Sequence, residues 1–143
     1  MESTPQSHAR TTQLKPKWQE RFAFFDQHGG PAAAAYKAAF RALPFGKKLL
    51  INFNLIAFFF GPIYWFVLGL WKKNLVMLGI IVAVGVLESV YEAATGNVVP
   101  RALDNGISMA FAFVYANLTN YAYYLKQAKG KQGWNPFEGH RAI

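Results

Sequence analysis

The chain contains no cysteine and few charged residues. Asp, Glu, Lys and Arg together make up 15% of its 143 residues, against roughly 25% in an ordinary soluble domain. The absence of cysteine excludes a disulfide scaffold, a thiolate metal site and a cysteine nucleophile. Hydrophobic residues make up 53%, which argues against intrinsic disorder. This composition favours a membrane protein over a typical soluble enzyme.

Acidic residues are scarce relative to basic ones, with 7 Asp and Glu against 15 Lys and Arg, a net charge of +8. Residues 49–125 hold three basic and three acidic side chains, so the flanks carry the whole excess. We predict a disordered polar tail over 1–13, a basic amphipathic helical region over 14–48, a membrane domain over 49–125 and a basic C-terminal tail over 126–143. Basic flanks around a neutral apolar block are typical of membrane proteins.

Charge is absent from two long apolar runs, 49–71 with 23 residues and 105–125 with 21. A third run, 74–94, is interrupted by Glu88 and Glu92 near its end. A hydrocarbon core of about 30 Å needs about 20 helical residues. We therefore expect an all-α integral membrane protein in which 74–94 and 105–125 span the bilayer.

The run 49–71 contains Gly61 and Pro62 near its middle. Proline lacks a backbone donor and clashes with the preceding helical turn, so this run is either a kinked span or a re-entrant segment that returns to the side where it entered. Three spans would place nine basic residues on one side and six on the other. A re-entrant segment returns Lys72 and Lys73, and leaves only Arg101 outside. We favour the re-entrant topology with a cytoplasmic N-terminus, and three spans remain the alternative.

Helical spacing places Trp18, Phe22 and Phe25 on one face of a helix over 14–28. A second helix over 32–43 follows the break at Gly29-Gly30. Two uses of these helices remain open. They either lie in the interface over anionic lipid headgroups or pack as a helical pair on the membrane segments. Nucleic-acid binding is not expected, because no recognised motif accompanies the basic residues.

Tryptophans and tyrosines cluster near the ends of the apolar runs. Such residues commonly form belts at the headgroup level. We expect an anchoring role for Trp65, Trp71 and Trp134, together with Tyr121, Tyr123 and Tyr124.

Glu88 and Glu92 are four residues apart and share one helix face. A carboxylate inside the membrane is costly and suggests function. The favoured interpretation is nonetheless that both are solvated near the external loop, with Arg101 as a counter-ion. A proton or cation path through Glu88 is the alternative.

Asn117 and Asn120 form part of a polar stripe along 105–125. Side-chain amides form hydrogen bonds across membrane helices. We expect these residues to dock the first run through Asn52 and Asn54, and a substrate-binding role is the alternative.

Small residues are spaced for close helix contact at Gly79 and Ala83, and again at Ala112 and Ala116. In an antiparallel pair of helices joined near residue 99, Ala83 and Ala116 would lie at the same depth. We expect them to face each other.

Signatures of enzymes are absent: no Walker loop, dinucleotide fingerprint, HExxH or Gly-x-Ser-x-Gly occurs. The three histidines, His8, His28 and His140, are too scattered for a metal set. We predict no catalytic, metal-binding or cofactor-binding residue, and hence no enzyme.

The stretch NFNLIAFFFGP at 52–62, followed by Lys72 and Lys73, resembles the bacterial small inner-membrane proteins of domain-of-unknown-function family 2628. The resemblance covers about residues 15–140. It implies a multi-pass protein of the bacterial inner membrane and transfers no catalytic or binding residue.

These features together predict a non-enzymatic binding, scaffold or accessory subunit of a membrane complex. A small oligomeric transporter or channel component, or an immunity protein against a membrane-acting toxin, is the alternative. The expected partners are the lipid bilayer with its anionic headgroups, and either a second membrane protein or further copies of the chain.

Overall fold

A computed structural model describes residues 15–140, and within that range the chain forms helices and no strands. The predicted all-α class is confirmed, while the predicted tail over 1–13 lies outside the described residues. The helices in chain order are α1 Pro16–His28, α2 Ala34–Arg41, α3 Phe45–Asn52, α4 Leu55–Val67, α5 Trp71–Thr95 and α6 Arg101–Lys129.

The first apolar run is not a single helix. It is divided between α3 and α4 at residues 53–54, where the Asn54 side chain caps α4 by accepting a hydrogen bond from the Ala57 backbone N–H at 3.0 Å. Asparagine is a favoured N-cap because its side-chain oxygen satisfies an orphan helical donor. α4 is itself kinked at Gly61, whose φ of 24° and ψ of −101° are non-helical.

The chain reverses its direction at this kink. Its contacts with α6 first move toward the start of α6 and then back toward its end, since Phe58 meets Phe113 whereas Leu68 binds Lys126. Along the same path, residue 54 lies beside Ala116 before the turn, and residues 61 and 65 lie beside Tyr115 and Thr119 after it. We call the folded-back segment, residues 45–70, the hairpin.

Glycine is needed at the kink for two reasons. A φ of 24° lies outside the conformations that L side chains readily adopt. A Cβ atom at Gly61 would also lie 3.4 Å from the Tyr115 ring, so the backbone is already in contact with α6. Pro62 follows directly, and its missing N–H suits a point where the helical ladder is broken.

Two stretches of the described residues are long and apolar enough to cross a membrane, Phe45–Val67 and Trp71–Thr95. The first is the hairpin, which is broken and folded back. The second is α5, whose 25 residues extend about 38 Å at 1.5 Å per residue. The run 105–125 lies within the 29 residues of α6. It is long enough to cross a membrane, but its asparagines, threonine and tyrosines make it less apolar than these two stretches.

The long helices α5 and α6 do not pack against each other along their length, which differs from the prediction. Ala83 is exposed, and no atom lies within 4 Å of a Cβ built on Gly79. Ala116 is fully buried, but its carbonyl accepts a hydrogen bond from the Asn54 backbone N–H. The expected pairing of Ala83 with Ala116 is wrong because α4 takes the position beside α6.

The aromatic faces of α1 and α2 pack inside the protein. Trp18, Phe22 and Phe25 are buried, and the ring of Trp18 lies 4.6 Å from that of Tyr123 on α6. A cluster joins these helices to α3 and the end of α6; its buried members are Trp18, Phe22, Phe25, Tyr36, Ile51 and Tyr124. Of the two uses predicted for these aromatics, the described contacts match the packed helical pair.

Candidate functional site

Asparagine side chains join the hairpin to α6. Asn52 Nδ2 donates to Asn117 Oδ1, and Asn54 Nδ2 donates to Asn120 Oδ1, each at 3.0 Å. Asn120 Nδ2 in turn donates to the Ile51 carbonyl at 2.9 Å, at the end of α3. The predicted docking contacts are present, and they satisfy backbone groups that the break between α3 and α4 would otherwise leave unpaired.

A second set of polar side chains binds the part of the hairpin that follows the kink, residues 62–70. Trp65, which has no exposed surface, donates from Nε1 to Thr119 Oγ1 at 2.6 Å. The Tyr115 hydroxyl donates to Asn74 Oδ1, and Asn74 Nδ2 donates to the Pro62 carbonyl, both at 2.9 Å. The expected interfacial role of Trp65 is therefore wrong, because both its ring and its N–H are used inside the core.

Trp71 and Trp134 differ from Trp65, since both are exposed. Their ring centroids lie 5.5 Å apart. The Lys72 ammonium lies 5.7 Å from the centroid of each ring, a distance suited to cation–π attraction. This exposed group remains compatible with anchoring at the headgroup level.

The loop after α4 is held by basic and amide side chains from the end of the chain. Lys126 Nζ donates to the Leu68 carbonyl at 2.9 Å, and Gln132 Nε2 donates to the Gly69 carbonyl at 2.7 Å. Gly69 has a φ of 77°, and a Cβ there would collide with the Lys126 ammonium. The C-terminal segment, residues 130–140, thus covers the return loop of the hairpin.

Lys73 is buried, with 1% of its surface exposed. Its ammonium donates to the Gly133 carbonyl at 3.1 Å and pairs with Glu138 at 3.4 Å. The sequence indicated Lys73 only as one of several basic residues that set topology. Its structural role was missed because Gly133 and Glu138 lie 60 and 65 residues away along the chain.

Arg21 and Asp26 are two further polar contacts that the sequence did not indicate. Arg21 Nε donates to the Leu50 carbonyl at 2.7 Å, and its guanidinium lies 4.7 Å from the centre of the Trp18 ring. Burial lowers the pKa of Arg21 from its ordinary value. The Tyr124 hydroxyl donates to Asp26 Oδ1 at 2.5 Å. Both contacts fasten α1 to the core of the hairpin and α6.

Beyond the tip of the hairpin, the space between α5 and α6 is open. Two cavities, of about 420 and 370 Å³, lie along it. The first is lined by Val84 and Glu88 from α5, by Pro100 from the connecting loop, and by Leu103 and Ile107 from α6. The second extends from Ile81 and Ser108 to the hairpin tip. We call the two cavities together the crevice.

Glu88 supplies the one carboxylate that lines the crevice. Its Oε1 is buried and has no hydrogen-bond partner among residues 15–140. Glu92 differs, because its Oε1 accepts a hydrogen bond from the Val99 backbone N–H at 2.9 Å. Arg101 forms no ion pair with either glutamate in the described part of the chain. The predicted solvation of both glutamates is therefore wrong for Glu88 Oε1, and the predicted counter-ion role of Arg101 is wrong within the described residues.

No group of three or more histidine, aspartate or glutamate residues within 15–140 is placed to hold a metal ion. His28 contacts Phe24 at the end of α1, whereas His140 lies beside Tyr121. The described residues thus provide two candidate functional features, a hairpin packed on α6 and an open apolar crevice. The absence of enzymatic activity and of cofactors remains a prediction.

Comparison with known proteins places the chain among uncharacterised relatives. Residues 6–129 match a family described as "Protein of unknown function (DUF2628)". The chain is 43% identical over 127 residues to "Uncharacterized protein YigF" of Escherichia coli (strain K12), covering 85% of this chain and 91% of that protein. Proteins of the same name from Salmonella typhimurium and Salmonella typhi are 42% identical over 129 residues, with the same coverage. No solved structure matches.

Proposed function

Since the chain belongs to the DUF2628 family, as the NFNLIAFFFGP stretch predicted, we propose that it is a non-enzymatic binding or accessory subunit of a complex in the bacterial inner membrane. In this proposal α5 and α6 cross the bilayer and the hairpin enters it from the cytoplasmic side. Both termini are cytoplasmic.

The main support for the proposal is the distribution of basic residues between the two ends of α6. α1 packs on residues 121–124, and the C-terminal segment covers the return loop. Twelve of the thirteen described Lys and Arg residues therefore gather around the Lys126 end of α6, and only Arg101 lies at the other end. These two ends are about 38 Å apart at 1.5 Å per residue. A hydrocarbon core of about 30 Å fits between them in the orientation of the positive-inside rule.

The apolar surface of the long helices supports membrane insertion. Only 28% of the apolar window of Phe45–Val67 and 11% of that of Trp71–Thr95 is buried within the protein. A core helix of a soluble protein would be mostly buried, and exposed apolar patches of this extent mark membrane or protein contacts. Exposed large side chains on α5 include Ile80, Val82, Val86 and Val90.

The hairpin has the dimensions of a re-entrant segment. Its deepest contact with α6, at Phe113, lies about 20 Å from Lys126 at 1.5 Å per residue. Irregular backbone within a membrane is tolerated where other protein groups satisfy it. The contacts of Asn54, Asn74 and Asn120 meet that requirement.

A reporter fusion tests the topology. Alkaline phosphatase fused after Ile143 should be inactive, and the same enzyme inserted after Val98 should be active, because only the loop 96–100 faces the periplasm. Activity of the C-terminal fusion would overturn the two-span arrangement.

Site-specific photo-crosslinking in living cells tests the role as a subunit. A photoreactive residue at exposed Val82 should give discrete protein adducts, which mass spectrometry can identify. The same residue at Met77, which is 1% exposed, is the matched control. If neither Val82 nor the other exposed positions of α5 gives an adduct, a protein partner on this helix is excluded.

Anionic lipid headgroups are a second expected partner, at the cytoplasmic end. Lys15, Lys17 and Arg41 are exposed there. Each basic residue near an anionic surface contributes about 1 kcal/mol of attraction.

A further inference from the structure

The hairpin separates α5 from α6 over only part of their length. Toward Lys126 it contacts both helices, and it ends near Ala112, which lines the cavity at its tip. From Ala112 to Arg101, α6 continues for about 16 Å at 1.5 Å per residue. One leaflet of a bilayer with a core of about 30 Å has nearly the same depth. The crevice therefore lies where the leaflet opposite the hairpin would be.

The size of the crevice restricts its occupant. Its two cavities measure about 420 and 370 Å³, which is the range of small-ligand sites. An unbranched hydrocarbon chain is compatible with these volumes.

The chemistry of the walls restricts the occupant further. The lining residues are apolar apart from Glu88, Tyr91, Ser108 and Tyr115. Glu88 lies at the level of Pro100 and Leu103, where α6 begins, and its buried oxygen lacks a donor among the described residues. A ligand that matches this site has an apolar chain and a positively charged donor at one end.

We propose that the crevice binds one phospholipid of the leaflet on the Arg101 side. An acyl chain lies between α5 and α6, and the primary ammonium of an ethanolamine headgroup donates a hydrogen bond to Glu88. Arg101 is exposed and forms no ion pair within residues 15–140, so its guanidinium is available to the lipid phosphate. This inference rests on the proposed membrane location.

Native mass spectrometry of the full, delipidated chain in detergent tests the headgroup. Dioleoyl phosphatidylethanolamine should bind about tenfold more tightly than dioleoyl phosphatidylcholine, whose quaternary ammonium has no N–H to donate. Dioleoyl phosphatidylglycerol should bind more weakly still, because its headgroup places no cation at Glu88. Equal binding of the three lipids would overturn the proposed headgroup contact.

Matched variants locate the site. Glu88→Gln should reduce the preference for ethanolamine lipid to less than about twofold, since the charge of the acceptor is lost. Glu92→Gln should leave the preference unchanged, because the oxygen of Glu92 is already bonded to the loop and Gln can accept the same N–H.

A second pair of variants tests the acyl chain independently of the headgroup. Ile107→Trp fills the crevice and should lower binding of all three lipids at least fivefold, whereas Met109→Trp lies on an exposed part of α6 and should not. Thermal unfolding of both variants checks that the fold is retained. Unchanged lipid binding by folded Ile107→Trp would overturn the proposed acyl-chain site.

Carbonate extraction of cell membranes separates this inference from the proposed function. Release of the chain into the soluble fraction would overturn the membrane location, and with it the lipid site. Retention in the membrane together with no headgroup preference would overturn the lipid site alone. Displacement of bound lipid by a co-purifying protein would show that the crevice serves a protein partner instead.

Discussion

The two ends of the α5–α6 pair differ in how their space is filled. At the Lys126 end, the hairpin lies between the helices, and asparagine, tryptophan and lysine side chains satisfy its broken backbone. At the Arg101 end, the helices face each other across the crevice, and Glu88 Oε1 has no partner among the described residues. The comparison indicates that specific polar contacts are concentrated on the hairpin, whereas the space between α5 and α6 at the Arg101 end is left open.

The largest loss of stability expected at the Lys126 end follows the removal of the Trp65 side chain. Trp65→Ala removes a fully buried ring that packs 4.8 Å from Tyr115 and donates to Thr119. The free energy of unfolding should fall by about 3–5 kcal/mol. Chemical denaturation in detergent measures it. Phe66→Ala, at an exposed neighbouring position, should change it far less, and equal losses would contradict the assigned packing.

Enlargement of a small residue should destabilise the fold at Ala116 and have little effect at Ala83. Ala116→Leu inserts three carbon atoms where α4 touches α6 and should destabilise the fold by about 1–3 kcal/mol. Ala83→Leu, which points to open surroundings on α5, should stay within about 0.5 kcal/mol. Thermal denaturation of both variants decides the matter. A large loss for Ala83→Leu would restore the direct α5–α6 contact that the sequence suggested.

Removal of one docking amide should give an intermediate loss. Asn54→Ala eliminates the bond to Asn120 and the cap on α4, and we expect about 1–2 kcal/mol of destabilisation. Asn105→Ala, at an exposed position near the start of α6, is the control. Hydrogen exchange should additionally show faster exchange at Ala57, and unaltered protection there would contradict the capping role.

The smallest expected effect is a pH dependence at the C-terminal segment. Burial lowers the pKa of His140 below its ordinary value of 6.5, so the folded state favours neutral imidazole. Its contribution to stability is full above pH 6.5 and declines as the pH falls through the lowered value, because the unfolded chain binds the proton more readily.

Hydrogen exchange at Ala32, whose N–H donates to the Gly139 carbonyl, reports on this region. The protection factor, which corrects for the intrinsic rate at each pH, should fall below pH 6.5, and His140→Gln should remove this dependence. The loop 96–100 serves as the internal reference, since no titrating histidine lies near it.

Local sequence patterns predicted many of the contacts at the Lys126 end. The helical spacing of Trp18, Phe22 and Phe25 identified one aromatic face, whose packing inside the protein was one of two predicted uses, and the Asn117–Asn120 spacing identified the amides that meet Asn52 and Asn54. Both predictions depended on periodicity within one helix, which sequence records directly. The position of Gly61-Pro62 likewise indicated where the chain could turn.

Contacts between distant segments could not be predicted in the same way. The spacing of Gly79 and Ala83 shows that a helix face is small, but it does not show whether a neighbour occupies it. The burial of Lys73 depends on Glu138, which lies 65 residues away. The crevice could not be predicted for the same reason, since its position depends on where the hairpin ends and not on any motif.

The hydrogen bonds of the hairpin also set an order of events during synthesis. Asn52 and Asn54 are made 65 and 66 residues before their partners on α6. At about 5–20 residues per second, a ribosome takes roughly 3 to 13 s to cover that interval. During this time the broken backbone at residues 53–54 has none of its final amide partners. The nascent hairpin therefore forms before the last helix is available, and a chain that ends before residue 117 has no amide to receive it.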